Sequence, residues 1–483
     1  GKASNELFAQ FLIRIYCEIP QCVLANFSTL KNLQAPNFSD FRNVFRAKLE
    51  KIFLMPADTF DNVKGQFPIG FFIWNLTKKE EFQQIEADVY DANVNELPNK
   101  LIVSYGDNKR ISDWTNEYAK KFKQLILTNR NIGYLTYTGS DFQSKNYTYI
   151  ENKDIKRNNH HTNFLIYIEN IILACIHLAV RQSIAATWLN DRDQFLYPNN
   201  SWASDITFHN DCLAFTLFSG QNRISANEGI NHFIPFTEEQ LGIKQDNFAS
   251  NFMSEFLAGK NPVVPQINID LANTTDSDLI NISDLTAINP TIVDINSLRQ
   301  LAKSELIILI TTNLSLLNLV SNSLNVKNIN ELNTKLFTFT KAKLIKLITS
   351  NLNIKTYLKE QVQTELFAEE LPVWSKPCVR DFSHVSEFIS VRAVNVFNAG
   401  LELFKFYHQN PKTNEQTQIE YNINASLYDI REYFQGRNAK GKMNNKSSNE
   451  KYNLLIGNLR SALKTLADNN IAPKIYEHGF LFA

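Results

Sequence analysis

Several side chains in this sequence have types and spacing that could do chemistry. Arg437, Lys440, Lys442, Lys446 and Lys451 form the densest basic cluster. Gly436 and Gly441 would let the backbone approach a phosphate, and Asn438, Asn444 and Asn445 could donate to backbone or base edges. The plainer reading is a solvated loop partly countered by Glu432 and Glu450. Asp141, Glu151 and Lys153 form a second set: two carboxylates and an ammonium on adjacent strands can hold Mg²⁺ and activate water. A third set is Phe60, Lys64 and Phe67 in FLMPADTFDNVKGQFPIGFFIW, residues 53–74. Here two rings flank a cation on one loop. Lys64 could contact a phosphate or be solvated, and either Phe could lie under its own loop. His160, His161 and His209 lack partners at metal-ligand spacing and read as exposed or hydrogen-bonded.

These residues need elements to position them. Ser4 is a plausible N-cap, and Leu7, Phe8, Phe11, Leu12, Ile15 and Tyr16 recur at helical spacing. Cys22–Leu30 reads as a short strand, and Phe41, Val44, Phe45, Leu49 and Ile52 mark a second helix. Phe53–Met55 and Gly70–Trp74 read as strands joined by the aromatic loop. That order predicts the second half of an open α/β sheet ending in an antiparallel pair. Strand-like pieces follow at Lys100–Tyr105, Tyr134–Tyr137 and Tyr147–Glu151, around a helix near Trp114–Leu127. Lys120, Lys121 and Lys123 read as one solvated helix face. Residues 162–189 suggest one long amphipathic helix, and residues 205–236 suggest apolar strand pieces with loops. Residues 263–365 lose aromatics and suggest Leu/Ile helices such as Ser297–Val320, an inserted helical module. Aromatics return at Pro372, with helices at Val391–Tyr407 and Leu454–Leu466.

Composition sets the bounds. The 483 residues are 44% hydrophobic, with 35 Phe and 5 Trp, a globular make-up that allows several cores. Lys plus Arg equals Asp plus Glu at 49 each, so a nucleic-acid partner would need local clustering of charge. Cys17, Cys22, Cys175, Cys212 and Cys378 are scattered and read as reduced thiols of a cytoplasmic protein. The apolar run Ile171–Val180 is too short to span a bilayer and reads as core. Trp74, Trp188 and Trp202 also read as core.

Absences narrow the classes further. The chain has no Gly-x-Gly, no Walker sequence, no His-Glu-x-x-His and no adjacent prolines. It opens at Gly1 directly on a helical pattern, which suggests the back portion of a longer enzyme. Several runs carry a resemblance to a family: residues 3–76, with DFRNVF and MPADTF; ATWLNDRDQFLYP (186–198); DCLAFTLFSGQN (211–222); NHFIPFTEEQL (231–241); and NASLYDIREYFQGRNAKGKMNN (424–445). Together they resemble the N6-adenine DNA methyltransferases of restriction–modification systems, in the portion after the catalytic Asn-Pro-Pro-Tyr motif.

The resemblance implies an α/β protein with four regions. Residues 1–78 would be the C-terminal half of a class I methyltransferase sheet, and 79–262 a mixed α/β target-recognition region. Residues 263–371 would be an α-helical insertion, and 372–483 a helical DNA-contacting region. It implies that Phe60, and secondarily Phe67, stack on an adenine flipped out of duplex DNA. Lys64, Arg437, Lys440, Lys442 and Lys446 would contact the DNA. It implies no catalytic residue and no metal in this chain, with S-adenosylmethionine bound mainly by an N-terminal portion supplied in cis or trans. Two alternatives stand. One is a standalone specificity subunit or inactive remnant. The other is a Mg²⁺-dependent nuclease of the PD-(D/E)xK kind using Asp141, Glu151 and Lys153.

Overall fold

A computed structural model describes residues 2–106, 108–121, 131–153, 162–244, 247–260, 262, 285, 298, 300–324, 326, 329–351, 389–409 and 411–482. Lys123, His160, His161, Ser297 and Cys378 lie outside the described residues. The chain is mixed α/β and divides into two compact units, residues 1–265 with 372–483, and residues 266–371.

The first unit opens with helix α1 (Leu7–Glu18), strand β1 (Val23–Thr29) and short helices α2 (Lys31–Gln34) and α3 (Ser39–Val44). Strands β2 (Ala47–Pro56), β3 (Pro68–Lys79), β4 (Gln84–Tyr90) and β5 (Glu96–Val103) complete a five-stranded sheet of order β1-β3-β2-β4-β5. β3 runs antiparallel to both β1 and β2, β4 is parallel to β2, and β5 returns antiparallel to β4. β2 and β3 are the antiparallel pair that the sequence predicts, and the sheet continues through residue 78. The second predicted helix, however, stops at Val44 and the strand begins at Ala47. Leu49 and Ile52 therefore belong to a strand whose bulge near Leu49 and Lys51 breaks strict alternation and lets it imitate a helical period.

Alternation along β3 splits the sheet into two unlike faces. Phe72, Trp74 and Leu76 join Ile52, Leu54, Ala87, Val89 and Ile102 in a core with Ala9, Leu12, Leu33, Phe38 and Phe41 of the helices. Trp188 packs against that core. Gly70 belongs to this face, because an added Cβ would meet the Phe72 ring at 2.8 Å. On the other face lie Ile69, Phe71 and Ile73 of β3, with Phe53 and Met55 of β2. None of these belongs to that core. Their β1 neighbours Val23 and Phe27 are 66% and 51% exposed.

A three-stranded antiparallel sheet follows: β6 (Gly133–Tyr137) between β7 (Tyr149–Glu151) and β8 (Thr162–Ile166), preceded by helix α4 (Ile111–Lys121). The expected long helix at 162–189 is β8 followed by α5 (Ile171–Ser183). α5 is buried almost all round, as is α6 (Ile206–Phe218), which replaces the strand pieces expected there. A helix enclosed on every side has no polar stripe, so its period is hidden in the sequence. Helix Val391–His408 crosses α6 so closely that a side chain at Gly400 would collide with the Phe218 ring. Helices Leu427–Gln435 and Glu450–Leu466 follow, the latter running through a π turn, Ala467–Ile471, into Ala472–Glu477.

The second unit contains, among the described residues, helices Lys303–Thr312, Leu314–Ser323, Ile329–Thr338 and Lys341–Ser350. Leu306, Ile310, Leu316, Val320, Leu332, Leu336, Leu344 and Ile348 are buried in it. Among the described residues of the chain, no helix is long and apolar enough to cross a membrane.

Candidate nucleobase pocket and basic hairpin

The connection from β2 to β3 is closed at its base, where Ala57 donates its amide to the Phe67 carbonyl at 2.9 Å. Above that closure, a single 3₁₀ turn over Ala57–Thr59 delivers Phe60, whose amide returns to the Ala57 carbonyl at 3.1 Å. Asn62 adopts a left-handed conformation at φ 64°, which its short polar side chain tolerates. Gly65 is required for a different reason. An added Cβ there would lie 2.7 Å from the Phe67 ring, so the missing side chain lets that ring fold back over the loop.

The result is a cavity of about 350 Å³ walled by Ala57, Phe60, Val63 and Phe67 of the loop, Phe8 of α1, and Phe27 and Ile69 of the sheet. It sits past the C-terminal ends of β1 and β2, the position where open α/β sheets receive ligands. Phe60 and Phe67 are half-buried, with neither sealed in the core. The Phe60 ring meets Phe27 edge-on at 5.4 Å, and Phe27 is supported in turn by Phe71 at 4.7 Å. The polar lining consists of Ser28, Thr29 and one ion pair, Lys31 Nζ to Glu6 Oε1 at 2.7 Å. Lys64 is exposed on the loop and makes no ion pair among the described residues.

The basic cluster is held on a small hairpin where Arg437 bridges Met443. Gly436, at φ 61°, starts it, and Asn438 Oδ1 accepts the backbone amides of Lys440 and Lys442. Arg437 is the brace of this hairpin. It pairs with Glu432 and donates to the Gly441 carbonyl and the Tyr428 hydroxyl, each at 2.9 Å. The Glu432 hydrogen bond, with that of Tyr428, raises the Arg437 pKa further above its ordinary value. Lys440, Lys442 and Lys446 remain exposed, with no ion pair among the described residues. Thus Phe60 and Phe67 share one cavity, whereas the lysines occupy a separate element.

The nuclease set is differently placed. The Asp141 carboxylate accepts the Ser144 amide at 2.9 Å and its hydroxyl at 2.5 Å, in a loop braced by buried Arg181. Glu151 is buried and accepts from Thr136 at 2.9 Å, while Lys153 pairs with Glu228 at 3.5 Å. Asp205, Glu477 and His478 could together face an ion. Lys474 already joins both carboxylates, at 3.0 Å to Asp205 and 2.9 Å to Glu477. Burial favours the protonated Asp205, yet His478, the Phe208 amide and Lys474 together hold its carboxyl well below the usual range. An ammonium occupies the role a metal would take.

Sequence reasoning did not single out Glu6, Lys31 or Phe27 as site residues. Their signal was weak because they lie in a helix approach, a short helix and an edge strand. No protein-family model, curated protein or solved structure matches the chain.

Proposed function

We propose that this chain is part of a site-specific DNA adenine-N6 methyltransferase of a restriction–modification system. It supplies the loop that holds the flipped base and the surfaces that read and grip duplex DNA. The observation that carries this reading is the convergence of Phe60 and Phe67 on one mainly apolar cavity beyond the ends of β1 and β2. Its volume of about 350 Å³ falls within the range of small-molecule clefts. Stacking on such rings is worth roughly 1–3 kcal/mol per base, which helps offset the cost of flipping. The exposed lysines of the C-terminal hairpin suit sequence-independent contact with phosphates.

Methyl donation is assigned to a separate portion, in cis or in trans. The chain's own residues do not fit S-adenosylmethionine: there is no glycine-rich turn, and the cavity lining is mostly apolar. The sheet supports the need for a partner. Among the described residues β1 pairs only with β3, and its outward Val23, Ala25 and Phe27 are exposed and carry no charge that would guard the edge. A strand beside β1 would pair that open edge, and a helix across this face would cover the exposed Val23 and Phe27. The same edge suits the second reading, a specificity subunit that joins a separate catalytic chain. The nuclease alternative lacks comparable support, since Asp141, Glu151 and Lys153 are each engaged with other partners.

The test is reconstitution with a polypeptide carrying the donor loop and the Asn-Pro-Pro-aromatic turn. Phe60→Ala is expected to lower methyl transfer to DNA at least tenfold, roughly the loss of one stacking contact, while thermal unfolding changes little. Undiminished methylation in that variant would count against the reading.

A further inference from the structure

We infer that Lys31, held by Glu6, positions the flipped base by donating a hydrogen bond to one of its ring nitrogens. The inference rests on the reading that this cavity holds a nucleobase. Its walls are otherwise apolar: Phe8, Phe27, Ala57, Phe60, Val63 and Ile69 can grip the faces of a flat ring but cannot orient it within its own plane. Orientation needs a polar group at the edge, and binding pockets typically have few of these. Ser28 already donates its hydroxyl to the Thr29 carbonyl at 3.2 Å, and the Thr29 hydroxyl is shut away from solvent. Among the described residues, the charged groups at this cavity are Glu6 and Lys31.

The pair is built to present a donor. Lys31 opens α2 immediately after β1, and Glu6 precedes α1, so the ion pair ties together the two segments that frame the cavity. Both side chains are about one-third exposed, at 28% for Lys31 and 33% for Glu6. One Glu6 oxygen takes one ammonium proton, which leaves the other N–H groups of Lys31 available. A ring nitrogen of adenine is an acceptor with no proton of its own, so it matches an ammonium and not a carboxylate. Glu6 therefore acts as a positioning residue, holding the ammonium in place, while Lys31 touches the base.

Deaza analogues remove one ring acceptor at a time and leave the shape of the base unchanged. Equilibrium binding of deoxyadenosine and its 1-deaza, 3-deaza and 7-deaza forms to the full chain separates the possible outcomes. The wild type is expected to bind one analogue roughly tenfold more weakly than deoxyadenosine, the size of a charged hydrogen bond. Lys31→Met should abolish that preference while Phe60-dependent binding persists, Lys31→Arg should restore part of it, and Glu6→Gln should weaken it. A preference that survives in Lys31→Met, or a wild type indifferent to all three analogues, overturns the inference while leaving the pocket reading intact. If deoxyadenosine does not bind, or Phe60→Ala binds it as well as the wild type, the pocket reading fails and this inference fails with it.

Discussion

The aromatic loop and the basic hairpin are both short connections rich in residues suited to DNA, yet they use those residues in opposite ways. Between β2 and β3, the structural work falls to backbone and glycine: the Ala57–Phe67 closure, the left-handed Asn62 and the space left at Gly65. Phe60 and Phe67 are thereby left at a cavity. In the hairpin, Arg437 itself is the structural element, tied to Glu432, Tyr428 and Gly441, and only the lysines face solvent. A functional residue type therefore identifies a functional residue only where something else builds the loop.

Substitutions can break this contrast. The largest effect is expected from removing Lys440, Lys442 and Lys446 together. If each meets a phosphate, the slope of log affinity against log salt should flatten by roughly 0.9 per lysine, and duplex binding should weaken at low salt. An unchanged slope would mean that the hairpin is merely solvated. Arg437→Ala should instead act on stability, costing about 1–2 kcal/mol through three lost partners, as read by denaturant unfolding. If it weakened DNA binding without destabilising the protein, Arg437 would rank with the lysines. Phe60→Ala should destabilise by only about 1 kcal/mol, the scale of its edge-on contact with Phe27. A much larger loss would identify Phe60 as a core residue.

Acid sensitivity should separate the interior from both loops. Burial first of all pushes His209, His232 and His408 down to about 4. A base with a depressed folded pKa is fully stabilising above its ordinary value near 6.5 and loses that contribution as pH falls towards 4. Asp211, pushed up to about 6 by burial, works the other way: its contribution is complete below about 4 and lost as pH rises through 6. Burial also pushes His177 down and Asp191, Asp193 and Asp429 up, so the net slope is the balance of the two sets, and the histidine contribution alone should drop between pH 6.5 and 4. His408→Gln should make that drop shallower, and the smallest change expected is in DNA-binding salt dependence, which these buried groups do not touch.

Part of the first sheet was legible because the apolar runs Phe53–Met55 and Gly70–Trp74 flank a loop punctuated by Gly65 and Pro68. The β2–β3 pair and the loop between them could be read directly, whereas the half-burial of Phe60 could not, since the sequence leaves its ring free to pack under its own loop. α6 could not, because Phe208, Leu213, Phe215 and Phe218 are buried on all sides and leave no polar stripe to reveal a helix. β4 and β5 were missed as part of the same sheet, since a parallel partner for β2 leaves no local signature. The Glu6–Lys31 pair was equally hidden: its partners stand 25 residues apart and meet only when β1 carries α2 back towards α1.

The most direct measurement is crosslink mapping on duplex DNA that carries one mispaired adenine, which costs least to flip. Photochemical adducts of that base, located by mass spectrometry, should fall on the segment containing Phe60 and Phe67. Adducts confined to other segments, with this loop unmodified, would contradict the idea that the cavity beyond β1 and β2 receives a base.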